Sequence, residues 1–137
     1  MRPANVFYMC SMLALAAPPV CAGCVTADPA ASAAHESGLS DRDPELARRL
    51  VAEGALLLDV RTPEEFGARR IEGAVNIPVD DLDGRMGEIE SLTGGDETTP
   101  IVVYCATGRR AGIAKQKLLA AGYGQVTNLG GIDDWYR

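Results

Sequence analysis

Cys105, Gly108, Arg109 and Arg110 fall within one six-residue stretch, directly behind the apolar run Val102, Val103, Tyr104. The pattern sets a thiol at the end of an expected strand, at the start of a loop whose glycine frees the backbone to turn. Its two arginines bring positive charge. The thiolate is the nucleophilic form of cysteine, and helix N-termini or neighbouring arginines favour it over the thiol. Residues 111–121 carry helical periodicity, and Gly122 is placed to stop it. The loop of Cys105, Ala106, Thr107, Gly108, Arg109 and Arg110 is therefore expected to curl over a helix N-terminus, where free N–H groups make an anion site. The competing reading is a plain core cysteine at a strand end. The glycine and the arginines weigh against it, because they supply the electropositive surroundings that reactive thiols need.

The elements that must position this loop fit in one domain, since 137 residues do not provide two cores. A net charge of -6 argues against nucleic acid as a partner, so any anion must be bound locally.

The N-terminal stretch reads as an address. Arg2 makes a short positive region, residues 6–17 are nearly all apolar, and Pro18 and Pro19 end the run. That is short of the roughly 20 apolar residues a membrane span needs and fits a secretory signal. Two processing patterns compete. Val25, Thr26 and Ala27 offer small residues before Asp28, whereas Cys21, Ala22, Gly23 and Cys24 resemble a lipobox with Cys24 as the lipidated residue. Cys21 stands where an aliphatic residue is usual. The expectation is a signal peptide over residues 1–24, a linker over 25–38 and a folded domain over 39–137. The product would be exported to the periplasm or cell envelope, soluble or held to the membrane only through a lipid anchor. Cys21 and Cys24 could also read as a redox pair or half a zinc site. Their place behind the apolar run, the lack of a second such pair and the lone His35 in a polar linker argue against it. No metal and no cofactor are expected. With the signal removed, Cys105 is the remaining thiol apart from Cys24. A lone thiol in an oxidising compartment favours a working residue.

Asp43 followed by Pro44 marks a helix start, and Gly54 its stop. Residues 55–60 form a short apolar run ending near Asp59, the pattern of a buried parallel strand. Thr62, Pro63 and Glu65 then predict a second helix opened by a capping box. Residues 74–77 predict a brief strand. Asp80 or Asp81 can cap a helix through Leu82, Met86, Ile89 and Leu92, and residues 101–104 and 126–129 predict two more strands. Alternation at this spacing means an α/β fold with a mostly parallel sheet, in which ligands sit beyond the carboxyl ends of the strands.

Four separated segments agree with one family: LLLDVRTPEEF from Leu56, IEGAVNIP from Ile71, VVYCATGRRA from Val102 and LGGIDDW from Leu129. Together, in order and spacing, they resemble a single-domain rhodanese, most closely the small exported members of phage-shock type. The resemblance covers residues 39–137. It implies a three-layer α/β fold with about five mostly parallel strands and helices on both faces. It also implies thiosulfate sulfurtransferase activity without a cofactor. Cys105 would take sulfur from thiosulfate or another sulfane donor as a persulfide and pass it to a small thiophilic acceptor such as cyanide or a thiol, or to an acceptor protein. The N–H groups of residues 106–110 would cradle the sulfur, and Arg109 and Arg110 would meet the dianionic donor. Asp59 and Arg61 would buttress the loop or simply end their strand, and Trp135 would cover the core. Arg69 and Arg70 stand where many members have Gly and His, a change beside the site and not in its chemistry.

Cysteine phosphatases and arsenate reductases also use a thiolate in an anion-cradling loop. The phosphatases place one residue more between cysteine and arginine than the four found between Cys105 and Arg110, and the shorter loop suits one sulfur atom. A persulfide carrier without turnover, or a protein-binding module, would use the same residues.

Overall fold

The computed structural model describes residues 38–137; Cys21, Cys24 and the expected export signal lie outside the described residues. Asp43 caps α1 (Pro44–Ala52), its carboxylate accepting the Leu46 N–H at 2.9 Å. Thr62 opens α2 (Pro63–Ala68) through the expected capping box: Thr62 Oγ1 accepts from Glu65 N at 3.3 Å, and Glu65 Oε2 accepts from Thr62 N at 3.1 Å. The strands are β1 (Leu56–Asp59), β2 (Val75–Asn76), β3 (Ile101–Cys105) and β4 (Val126–Gly131). Helices α3 (Met86–Thr93) and α4 (Arg109–Ala120) complete the set.

All strand pairs are parallel, in the order β2-β1-β3-β4. From β1 the chain goes to one side for β2 and then crosses to the other side for β3. The crevice at the carboxyl ends of β1 and β3 is thus the point where strand order reverses, the usual ligand position in open parallel sheets. Asp59 ends β1 and Cys105 ends β3.

Among the described residues the sheet has four strands where about five were expected. The free edge of β4 is instead covered by residues 40–42. Thr127 Oγ1 donates to Ser40 O at 2.7 Å, Asn128 N to Asp41 Oδ1 at 2.9 Å, and Arg42 N to Asn128 O at 2.7 Å. Side-chain and backbone contacts alternate here, so the arm shields an exposed edge without becoming a strand. The helix expected through Leu82 to Leu92 also differs. It begins as a 3-10 turn, Leu82–Arg85, before α3, and Asp81 makes no side-chain cap. Gly84 and Gly87 weaken a continuous helix there. The change of winding keeps Leu82 and Ile89 in the core and leaves Leu92 45% exposed.

Strand residues alternate between two apolar clusters. Leu58, Val60, Ile101, Val103 and Cys105 meet Ile89 of α3 and Ala111, Ala114 and Leu118 of α4. Leu57, Val102 and Tyr104 meet Ala47 of α1, with Ile132 and Trp135 beyond β4. Helices therefore lie on both faces, as expected, and Cys105 points toward α4.

A buried ion pair closes the end of β1. Asp59 is fully buried and the Arg61 side chain is 6% exposed, with Arg61 Nη2 at 2.6 Å from Asp59 Oδ2. Arg61 also donates through Nε, at 3.0 Å to each carboxylate oxygen, and through Nη2 to Arg69 O. Its hydrogen bond to the Asp59 carboxylate holds the guanidinium pKa above its usual value. Arg61 lies 5.5 Å from the Tyr104 ring centroid. Asp59→Ala would leave a buried cation unpaired and should cost about 3–5 kcal/mol in urea unfolding. A loss under about 1 kcal/mol, the worth of an exposed pair, would refute that role.

Candidate active site

Cys105 is 0% exposed and counts among the core residues, as a plain core cysteine would. What distinguishes it is the contact at its sulfur: Gly108 N donates to Cys105 Sγ at 2.9 Å. Gly108 is the N-cap of α4 with φ 90 and ψ -10, a left-handed backbone that brings its N–H back over the strand end. Ala106, Thr107 and Arg109 are exposed, while Gly108 is buried. The loop thus has an open rim and a closed floor. The positive end of α4 points at the sulfur, and no acidic residue occupies the first turn to neutralise it.

Arg109 and Arg110 behave differently. Arg109 is exposed and makes no ion pair among the described residues. The Arg110 fork is already engaged, with Nη1 at 2.7 Å from Glu65 Oε2 and Nη2 at 2.9 Å from Glu65 Oε1. That hydrogen bond is the main cause that raises the Arg110 pKa, with smaller contributions from the charges of Glu65, Cys105 and Asp59. Glu65, read from sequence only as part of a helix start, thus also joins α2 to α4. No local signal announces this contact, which forms only once β1 and β3 are neighbours.

Asp59 and Arg61 support the floor indirectly. Asp59 lies opposite Tyr104 in the β1–β3 register, one residue before Cys105. The Tyr104 hydroxyl accepts from Ile71 N at 3.2 Å, and burial pushes its pKa up. Arg69, whose carbonyl receives Arg61, pairs with Asp133 at 2.7 Å, and Arg70 lies over the Phe66 ring at 5.2 Å. Arg69 thereby ties its loop to the segment after β4, and Arg70 packs on α2.

Asn128 is a further residue the sequence reading passed over. Its Nδ2 donates to Gly108 O at 3.0 Å and its Oδ1 accepts from Gly130 N at 2.9 Å. Beyond it, β4 passes so close to the loop that a Cβ on Gly131 would lie 2.6 Å from Ala106 O. The paired glycines of the LGG segment are therefore a close-approach requirement.

A sequence profile described as "Rhodanese-like domain" matches residues 43–137. The chain belongs to the rhodanese family. It is 36% identical over 77 residues to "Thiosulfate sulfurtransferase PspE" of Escherichia coli K12, covering 56% of this chain and 70% of that protein. It is 38% identical over 94 residues to a "Sulfurtransferase" of Allochromatium vinosum, covering 67% of this chain and 82% of that one. Two solved structures share the fold. The "rhodanese with anions from E. coli" has 34% identity and a TM-score of 0.53 over 59% of this chain and 91% of its own. The human single-domain sulfurtransferase TSTD1 has 34% identity and a TM-score of 0.56 over 68% and 90%. The rhodanese fold expected from the sequence is thus shown, and the sulfurtransferase relatives support sulfurtransferase activity in this chain.

The ion pair between α2 and α4 has a defined pH window. The Arg110 guanidinium, and after it the Thr62 N–H, lower the Glu65 pKa from 4.5 to about 2. A depressed carboxylate adds stability that is complete above 4.5 and lost as pH falls through about 2. Glu65 is 36% exposed, so solvent limits the pair to about 0.5–1 kcal/mol. Glu65→Gln keeps an acceptor for the capping box but removes the charge and one of the two oxygens that hold the Arg110 fork. It should lower stability by that amount at neutral pH and match wild type below about pH 2. A difference that persisted unchanged in acid would exclude the ion pair as its source.

Proposed function

We propose that the protein is a thiosulfate sulfurtransferase in which Cys105 carries the sulfur. The observation that carries this reading is the Gly108 N–H on Cys105 Sγ at the β1–β3 crevice. It is supported by the names of the sulfurtransferase relatives, and by a similar structure described as a rhodanese with anions.

In the first step the Cys105 thiolate attacks the outer sulfur of thiosulfate. The new S–S bond forms as the old one breaks, and sulfite leaves with the bonding electron pair. The enzyme holds a persulfide with its charge on the outer sulfur. In the second step a nucleophilic acceptor, cyanide or a thiolate, attacks that outer sulfur, and Cys105 departs as thiolate. One transfer is thereby divided into two easier ones. The Gly108 N–H lies where negative charge rests on Sγ, and the open N–H groups of the loop would take the outer sulfur. Arg109, exposed and without an ion pair among the described residues, suits the sulfonate end of the donor. Arg110 contributes charge from a fixed position, because its fork is held by Glu65.

Incubation with thiosulfate should add one sulfur to the protein by intact mass, and Cys105→Ser should prevent it while remaining folded. Sulfur uptake by the serine variant would exclude Cys105 as the carrier. Continued sulfite release with cyanide or a small thiol present is the expected turnover; a persulfide that discharges only to a protein would point to a carrier instead. Arg109→Ala should raise the KM for thiosulfate roughly tenfold with kcat little changed, the pattern of lost donor binding. An unchanged KM would leave Arg109 a solvated side chain.

A further inference from the structure

The Gly108 N–H reaches the sulfur because Gly108 holds a left-handed backbone, which α4 secures in part through the Gly112 N–H on Gly108 O at 3.0 Å. The same carbonyl is held a second time, from β4. The β3–β4 register runs Val103 with Asn128 and then Tyr104 with Gly130, so Leu129 is an extra residue in β4. Such a bulge re-aims the side chains beside it. Here it turns the Asn128 carboxamide across the sheet end, where Nδ2 meets Gly108 O and Oδ1 meets Gly130 N. Asn128 is buried, and both ends of its amide are used.

Asn128 is in turn fixed from outside the segment that matches the family. Asp41 precedes residue 43, where that match begins. Its Oδ1 accepts from Asn128 N at 2.9 Å and from Lys115 Nζ at 2.6 Å. Lys115 is a buried lysine of α4. An unbroken series of contacts therefore runs from the arm over the β4 edge to the sulfur: Lys115 to Asp41, Asp41 to Asn128, Asn128 to Gly108, and Gly108 to Cys105.

We propose that Asn128 is a positioning residue for sulfur transfer, setting the backbone turn of Gly108, whose N–H touches Cys105 Sγ, and that Asp41 of the N-terminal arm holds Asn128 in place. This rests on the reading of Cys105 as the sulfur carrier. Small misplacements of reacting groups cost rate steeply, so the role is one of orientation and not of donor binding.

The test uses Asn128→Asp and Asp41→Ala in the full chain. Asn128→Asp keeps the acceptor for Gly130 N but sets an oxygen without a proton against Gly108 O. It should lower kcat for thiosulfate-dependent sulfite release roughly tenfold while KM stays near wild type. Asp41→Ala should lower kcat by a smaller factor, about threefold, because Asn128 keeps its carboxamide bonds. In both variants the Gly108 amide proton resonance should move, since that proton reports its contact with Sγ. A wild-type kcat with an unmoved resonance, or a loss confined to KM or to thermal stability, would overturn the proposal. Should Asn128→Asp fail to fold, the same readouts on Asp41→Ala decide. A wild-type protein that takes no sulfur would sink the Cys105 assignment, while the Gly108 resonance in the variants would still judge the positioning.

Discussion

The backbone of Gly108 must satisfy two demands at once: it opens helix α4, and it returns its N–H to the sulfur of the residue that ends β3. Only a left-handed backbone does both, and a side chain at that position would stand 3.0 Å from Gly130 Cα. Much of the remaining architecture follows from keeping that backbone where it is. The two glycines of β4 let a strand pass under the loop, and the bulge at Leu129 carries Asn128 to the Gly108 carbonyl. The Glu65–Arg110 bridge ties the far side of the loop to α2. The loop is thus braced from both neighbouring elements, although its own residues are small or exposed.

Charge is distributed by the same logic. The chain is acidic overall, yet Arg109 and Arg110 occupy the first turn of α4, where a cation is locally unfavourable. Arg110 offsets that cost through Glu65. Arg109 has no such partner among the described residues, which is why it suits an incoming anion. The buried Asp59–Arg61 pair belongs to a different layer. It closes the end of β1, lies against Tyr104 and holds the following loop through Arg69 O.

Several parts of this arrangement were legible from residue types and spacing. The caps at Asp43 and Thr62, the strand before Cys105 and the helix behind the loop all depend on contacts within a few residues, so local chemistry is enough to read them. The alternation of short apolar runs with helices likewise implies a parallel sheet whose strand ends carry the site. Where reading failed, two local preferences competed. The segment after Asp81 holds apolar residues at helical spacing and two glycines, and the winding changes partway, which exposes Leu92. Among the described residues the sheet has one strand fewer than expected, and residues 40–42 cover its edge through mixed side-chain and backbone bonds that no periodicity announces.

The sequence by itself determined the nucleophile candidate, its loop, the order of elements and the family, because each depends on residue identity or on neighbours along the chain. Tertiary structure alone decided which distant groups meet that loop. Glu65, 45 residues from Arg110, and Asn128, 20 residues from Gly108, acquire their roles only when β1 and β4 flank β3. Hydrogen bonds act over about 3 Å, so partners so far apart along the chain remain invisible until the sheet brings them together.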